Sequence, residues 1–142
     1  VKQMEKRYFS DPAMACAMLN LTAQKLLNDL NTFEFLFEAL VERDLEIYAQ
    51  SFGGKLFHYQ DYNNNKIDAV IELKDGEWCA FEIKLGANKI EEAAKNLTKV
   101  CADIINSGGK APKIKYIICG LSNAAYKRPD GIFVVPLTSL KN

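Results

Sequence analysis

A mixed α/β fold, one sheet with helices packed on it, is predicted by three features of the chain. The hydrophobic period switches from helical to alternating at Gly53-Gly54, three alternating segments then follow with turn chemistry between them, and an amphipathic helix leads into a wholly apolar strand. The element order is α-β-β-β-α-β-β. The first long helix runs from Thr32 to Phe52, where Gly53-Gly54 stops it. At about 100° per residue its apolar arc is Phe33, Leu36, Phe37, Leu40, Val41, Ile47 and Tyr48, with Glu42 and Glu46 on the far side and Glu38 at the border. Glu34 and Asp44 fall inside the arc and need partners if buried.

Residues 55–59, 66–73 and 77–85 read as strands joined at Asn63-Asn64-Asn65 and Lys74-Asp75-Gly76. Residues 88–106 place Ile90, Ala93, Ala94, Leu97, Val100, Cys101 and Ile104 at i, i+3, i+4 spacing, with Asn88 and Glu91 resembling a capping pair and Gly108-Gly109 as the stop. The apolar run 114–119 is a central strand, and residues 131–135 supply one more before Pro136. A strand-helix-strand unit after a meander implies a mixed sheet whose last connection is parallel and right-handed. The polar stretch 122–130 receives no element and no role. Ahead of the long helix, residues 1 to about 30 read as an N-terminal helical arm packed on the core: Asp11-Pro12 starts a helix through Leu19, and Thr22 caps a second. Residues 31–142 form the main domain. The chain opens on Val1 in mid-pattern, as expected of a piece of a longer protein.

With 18 basic and 18 acidic residues the formal charge is zero, so no whole-molecule field draws the chain to nucleic acid or anionic lipid, and any partner must be argued from a site. A hydrophobic share of 49% supports a real core and excludes disorder. The four cysteines, Cys16, Cys79, Cys101 and Cys119, have apolar neighbours and no zinc-type spacing, and read as reduced core thiols. No apolar run approaches the roughly 20 residues of a membrane span, and the expected location is the cytoplasm.

The chemistry concentrates on the central hairpin. Period two puts Ile67, Ala69, Ile71 and Leu73 on one face of their strand, with Asp68, Val70 and Glu72 on the other. On the next strand Trp78, Ala80, Glu82 and Lys84 share a face. A three-residue loop with Gly76 in the left-handed region pairs residues whose numbers sum to 150, which sets Asp68 opposite Glu82. Like charges so placed are destabilising unless neutralised. A divalent cation would neutralise them, since Mg²⁺ takes oxygen ligands from one or two carboxylates, with Lys84 beside it to polarise a bound water or steady a developing phosphorane charge.

Taken in order, Tyr8-Phe9-Ser10-Asp11-Pro12, Phe37-Glu38-Ala39-Leu40-Val41, Ile67-Asp68-Ala69-Val70 and Glu82-Ile83-Lys84-Leu85-Gly86 carry a resemblance. Asp68, followed 14 positions later by Glu82-Ile83-Lys84, resembles the PD-(D/E)xK nuclease superfamily, the restriction-endonuclease-like fold. The four segments together resemble the C-terminal domain of unknown function that follows a P-loop ATPase module in many prokaryotic AAA-type ATPases. The resemblance spans nearly the whole chain. It implies Asp68 and Glu82 as metal ligands with the Ile83 carbonyl as a third, Lys84 as the catalytic lysine, Glu38 as a helix-borne acid, Mg²⁺ or Mn²⁺ as cofactor and DNA as substrate. The position before Asp68 is Ile67, where the motif's name has Pro. The ATPase module lies outside this chain, because Gly54-Lys55 and Gly109-Lys110 lack the upstream Gly and following Ser/Thr of a Walker loop, so no ATP site is assigned.

Other features read as structural. His58 lies within a strand, Trp78 and the Phe-rich helix belong to the core, and Lys89, Lys95, Lys99, Lys110, Lys113 and Lys115 form a solvated face. Two functions remain open: a metal-dependent, nuclease-like hydrolase controlled by the ATPase module, or a catalytically inactive module of the same fold that docks nucleic acid or protein and regulates the ATPase.

Overall fold

A computed structural model describes residues 3–4, 29–120 and 124–137. Strand β1 (Gln3–Met4) precedes helix α1 (Leu30–Ser51), the meander β2 (Lys55–Gln60), β3 (Lys66–Glu72) and β4 (Trp78–Lys84), helix α2 (Ile90–Asn106), and strands β5 (Ile114–Cys119), β6 (Tyr126–Lys127) and β7 (Phe133–Pro136). The strands lie in the order β1-β2-β3-β4-β5-β7-β6. Pairing is antiparallel from β1 to β4, parallel between β4, β5 and β7, and antiparallel again for β6 on β7, which makes the sheet mixed.

Two short edge strands depart from expectation. The helices expected at residues 12–19 and from Thr22 lie outside the described residues, but Gln3 and Met4 pair with Tyr59 and His58, where the edge of β2 offers open backbone groups. Tyr126 and Lys127 pair with Val134 and Phe133, closed by a turn in which Gly131 takes φ +88°.

Helices α1 and α2 cover opposite faces. Phe37, Val41, Leu45 and Ala49 of α1 pack with Ala69, Ile71, Phe81, Ile83 and Ile118. The seven positions of the expected apolar stripe of α2 are all buried, and they pack with Val70, Ala80, Ile117, Cys119 and Val134, while Ile105 lies outside the stripe and is exposed. The predicted arc of α1 is rotated from the observed one. Ile47 and Tyr48 are exposed, whereas Glu42 is 1% exposed and Leu45 and Ala49 are fully buried. The small Ala49 lets the helix approach the sheet; hydrophobicity alone does not say on which side the sheet lies. Asp44 is partly covered and pairs with Arg43 at 3.7 Å. The expected capping pair of α2 is also replaced: a 3-10 turn, Ala87–Lys89, leads in, and Lys89 occupies the cap position without a side-chain bond.

A kink in β3 matters for function. Lys55, Leu56 and Phe57 pair with Glu72, Ile71 and Val70, but Tyr59 and Gln60 pair with Ile67 and Lys66, so Asp68 and Ala69 together oppose His58. This is a β-bulge, which adds one residue and shifts the alternation. Ile67 therefore joins Val70 on the α2 side and not Ala69 and Ile71 on the α1 side, against the simple period of two.

Candidate metal-binding cleft

The β3–β4 hairpin follows the expected register. Leu73 N–H donates to the Glu77 carbonyl, Gly76 takes φ +86° in the three-residue loop, and the pairs Glu72↔Trp78, Ile71↔Cys79, Val70↔Ala80 and Ala69↔Phe81 each sum to 150. At the bulge the next rung changes character: the Asp68 carboxylate accepts from the Ile83 N–H at 2.9 Å. Asp68 and Glu82 thereby face each other from adjacent strands, and their carboxyl groups hydrogen-bond.

Glu82 is 3% exposed. Burial holds its carboxyl well above the usual range, and the charge and hydrogen bond of Asp68 add to that shift. Two interactions oppose it, a hydrogen bond from Asn96 and the positive charge of Lys84. Asn96 stands on α2, and its Nδ2 donates to Glu82 Oε1 at 2.6 Å and to the Lys66 carbonyl at 3.0 Å. A cleft of about 390 Å³ opens here, lined by Asn64, Lys66, Asp68, Glu82, Lys84, Glu92, Ala93 and Asn96. On this face α2 roofs the apolar part of the strands, and the cleft opens at their ends.

The structure brings Asp68, Glu82 and Lys84 into one cleft, with Ile83 between the latter two on β4 and its side chain in the core on the α1 side. Glu38 is half-buried on α1, across the sheet, and is not among the cleft's lining residues. Among the described residues no group of three or more His, Cys, Asp or Glu side chains is placed to hold a metal ion. Sequence reasoning passed over Lys66, Asn64, Glu92 and Asn96. Only Asn96 carried a signal: it lies three residues after Ala93 and four before Val100, a polar side chain beside the apolar stripe of its helix.

A second cleft, about 470 Å³, lies on the α1 side between Leu45, Tyr48, Phe52, Phe81, Tyr116 and Val135. Its lining is mostly aromatic and aliphatic, with Cys79 and Lys113 beside them and no carboxylate. His58 sits in β2 and does not line either cleft. Among the described residues Cys101 and Cys119 are buried free thiols and Cys79 is partly exposed, while Cys16 lies outside them. No helix among the described residues is long and apolar enough to cross a membrane.

Comparison with curated proteins and with solved structures finds no match. A family model, that of a domain of unknown function, DUF4143, matches residues 33–140, and the chain belongs to the DUF4143 family.

Proposed function

We propose that this domain, of restriction-endonuclease-like architecture, hydrolyses phosphodiester bonds in DNA with a Mg²⁺ or Mn²⁺ ion held between Asp68 and Glu82. The observation that carries the reading is the carboxyl pair itself. A bulge turns Asp68 onto a Glu82 that is already buried, so the pair exists at the cost of like-charge contact, which a shared proton or a cation relieves. Two carboxylates and a backbone carbonyl, that of Ile83, are a donor set suited to a hard divalent ion. Such an ion supplies a lowered pKa for its bound water and stabilisation of charge on the phosphoryl oxygens.

The chain's own residues do the rest. Asp68, fixed by the Ile83 N–H, and Glu82, fixed by Asn96, hold their carboxyl groups in one orientation. The Lys84 ammonium, in the same cleft, donates to a non-bridging phosphate oxygen or to the leaving oxygen. Lys66 at the rim contacts a neighbouring phosphate. Glu38, the acid implied on the first helix, stands across the sheet from the cleft lining, and its substitution is expected to leave Mn²⁺ binding in place. Domains of this family are generally found in ATPase-associated proteins. In this reading a P-loop ATPase module of the same polypeptide controls access to DNA.

One observation favours a second reading, a non-catalytic module that docks a partner and signals to the ATPase. One oxygen of each carboxyl is already taken, by the Ile83 N–H and by Asn96, as in a purely structural pair. Calorimetric titration of Mn²⁺ into the protein and into Asp68→Ala, Glu82→Ala and Glu38→Ala separates them, followed by cleavage assays on single-stranded, duplex and branched DNA. The hydrolase reading expects binding that both cleft variants lose, and Mn²⁺-dependent cleavage that Lys84→Ala abolishes while binding persists. Absence of Mn²⁺ binding by the unsubstituted protein overturns it in favour of the docking module.

A further inference from the structure

The geometry points to Asn96 as the positioning residue of the cleft: its carboxamide presents Glu82 to the cation and fixes the spacing of the two strands that carry the ligands. This inference rests on the reading of Asp68 and Glu82 as a cation site. Nδ2 carries two N–H groups, and both are used, one on the Lys66 carbonyl at 3.0 Å and one on Glu82 Oε1 at 2.6 Å. Both partners are acceptors, so the orientation of the amide is fixed by its surroundings and a flipped carboxamide would set oxygen against oxygen.

Three consequences follow for the site. With Oε1 tied to Asn96, the second Glu82 oxygen is the one left for Asp68 and the cation. Because the donor is neutral, it orients the carboxyl without adding a positive charge that would compete with a metal ion, as a lysine in that place would. The second bond reaches the first residue of β3, two positions before Asp68, in the stretch where backbone pairing of β3 with β4 has already ended at Ala69↔Phe81. Asn96 thus bridges β3 and β4 through α2 where the ladder no longer does, and the helix holds the two carboxyl-bearing strands at one separation.

The test titrates Mn²⁺ alone, by calorimetry and by electron paramagnetic resonance of the bound ion, into the unsubstituted protein, Asn96→Ala, Glu82→Ala and the double variant, with melting temperatures taken in the absence of metal. The expected result is a 10- to 100-fold weaker affinity in Asn96→Ala, a changed resonance line shape, and no further loss when the substitution is added to Glu82→Ala. A structural role alone would lower the melting temperature and leave affinity and line shape as they were. If Asn96→Ala binds Mn²⁺ like the unsubstituted protein while Asp68→Ala and Glu82→Ala do not, the positioning role is overturned and the site stands. If the unsubstituted protein binds no Mn²⁺, the site reading falls and the role of Asn96 falls with it. Asn96→Ser, smaller and still polar, replaces Asn96→Ala in the same titration should circular dichroism show the alanine variant unfolded.

Discussion

Glu82 shows how one side chain can set the behaviour of a cleft. Its carboxyl is held above the usual range first by burial and then by Asp68, so in the folded, metal-free protein it keeps its proton where the unfolded chain, ionising near about 4.3, has lost it. The folded state therefore binds more protons than the unfolded state above that value, and stability falls as pH rises from about 5 through neutrality. Glu82→Gln retains the shape and cannot ionise. We expect its melting temperature to be flatter between pH 5 and pH 8 than that of the unsubstituted protein, with the two curves converging at pH 5 when measured without divalent ions. Parallel curves would mean that Glu82 is ionised in the folded state. At this scale the sequence was readable for Asp68, Glu82 and Lys84, because the Lys74-Asp75-Gly76 turn sets the register. It was not readable for Ile67, whose face depends on a bulge opposite His58 that no local residue pattern announces.

The two helices were legible to different degrees, and the cause is the contrast on their surfaces. Helix α2 alternates sharply, with mostly charged and polar residues between the positions of its apolar stripe, and all seven stripe positions are buried as predicted. On α1 aromatic and aliphatic residues occur nearly all round, so the periodicity leaves the rotation ambiguous, and a carboxylate, Glu42, sits in the buried arc while Phe35 and Ile47 are half exposed. Strand β6 was missed for a related reason: Tyr126 and Lys127 are both exposed and two residues long, too short for an alternation to register. The stability of the α2 face should then follow its packing. Leu97 is fully buried among Ile90, Ala94, Cys101 and the sheet. Leu97→Ala removes those contacts and leaves a cavity, and urea unfolding should show a loss of about 3 kcal/mol, within the range for buried leucines. A loss below about 1 kcal/mol would mean that α2 does not pack as described.

Over the whole molecule, equal numbers of acidic and basic residues leave no field to gather DNA from solution, so affinity must come from contacts at the cleft. The lysines of the cleft are Lys66 and Lys84. The remaining lysines are partly engaged elsewhere: Lys110 pairs with Glu77 at 2.9 Å, Lys89 with Glu92 at 3.8 Å, and Lys127 lies over the Phe133 ring. On the opposite flank Arg128 is held by Glu91 and Asp130, which ties the β6–β7 hairpin to the first turn of α2 and neutralises the guanidinium. If two lysines make the phosphate contacts, counterion release sets the logarithmic salt dependence of duplex binding at a slope of about −2. Fluorescence anisotropy on a labelled duplex, with the non-cleaving Lys84→Ala variant read beside the unsubstituted protein in Ca²⁺, tests this directly. The variant should lose about one unit of slope, since one contact has gone. A slope steeper than about −4 in the unsubstituted protein would require several more phosphate contacts, and the surface from Lys95 to Lys115, read as solvated from sequence, would then be the track along which the nucleic acid lies.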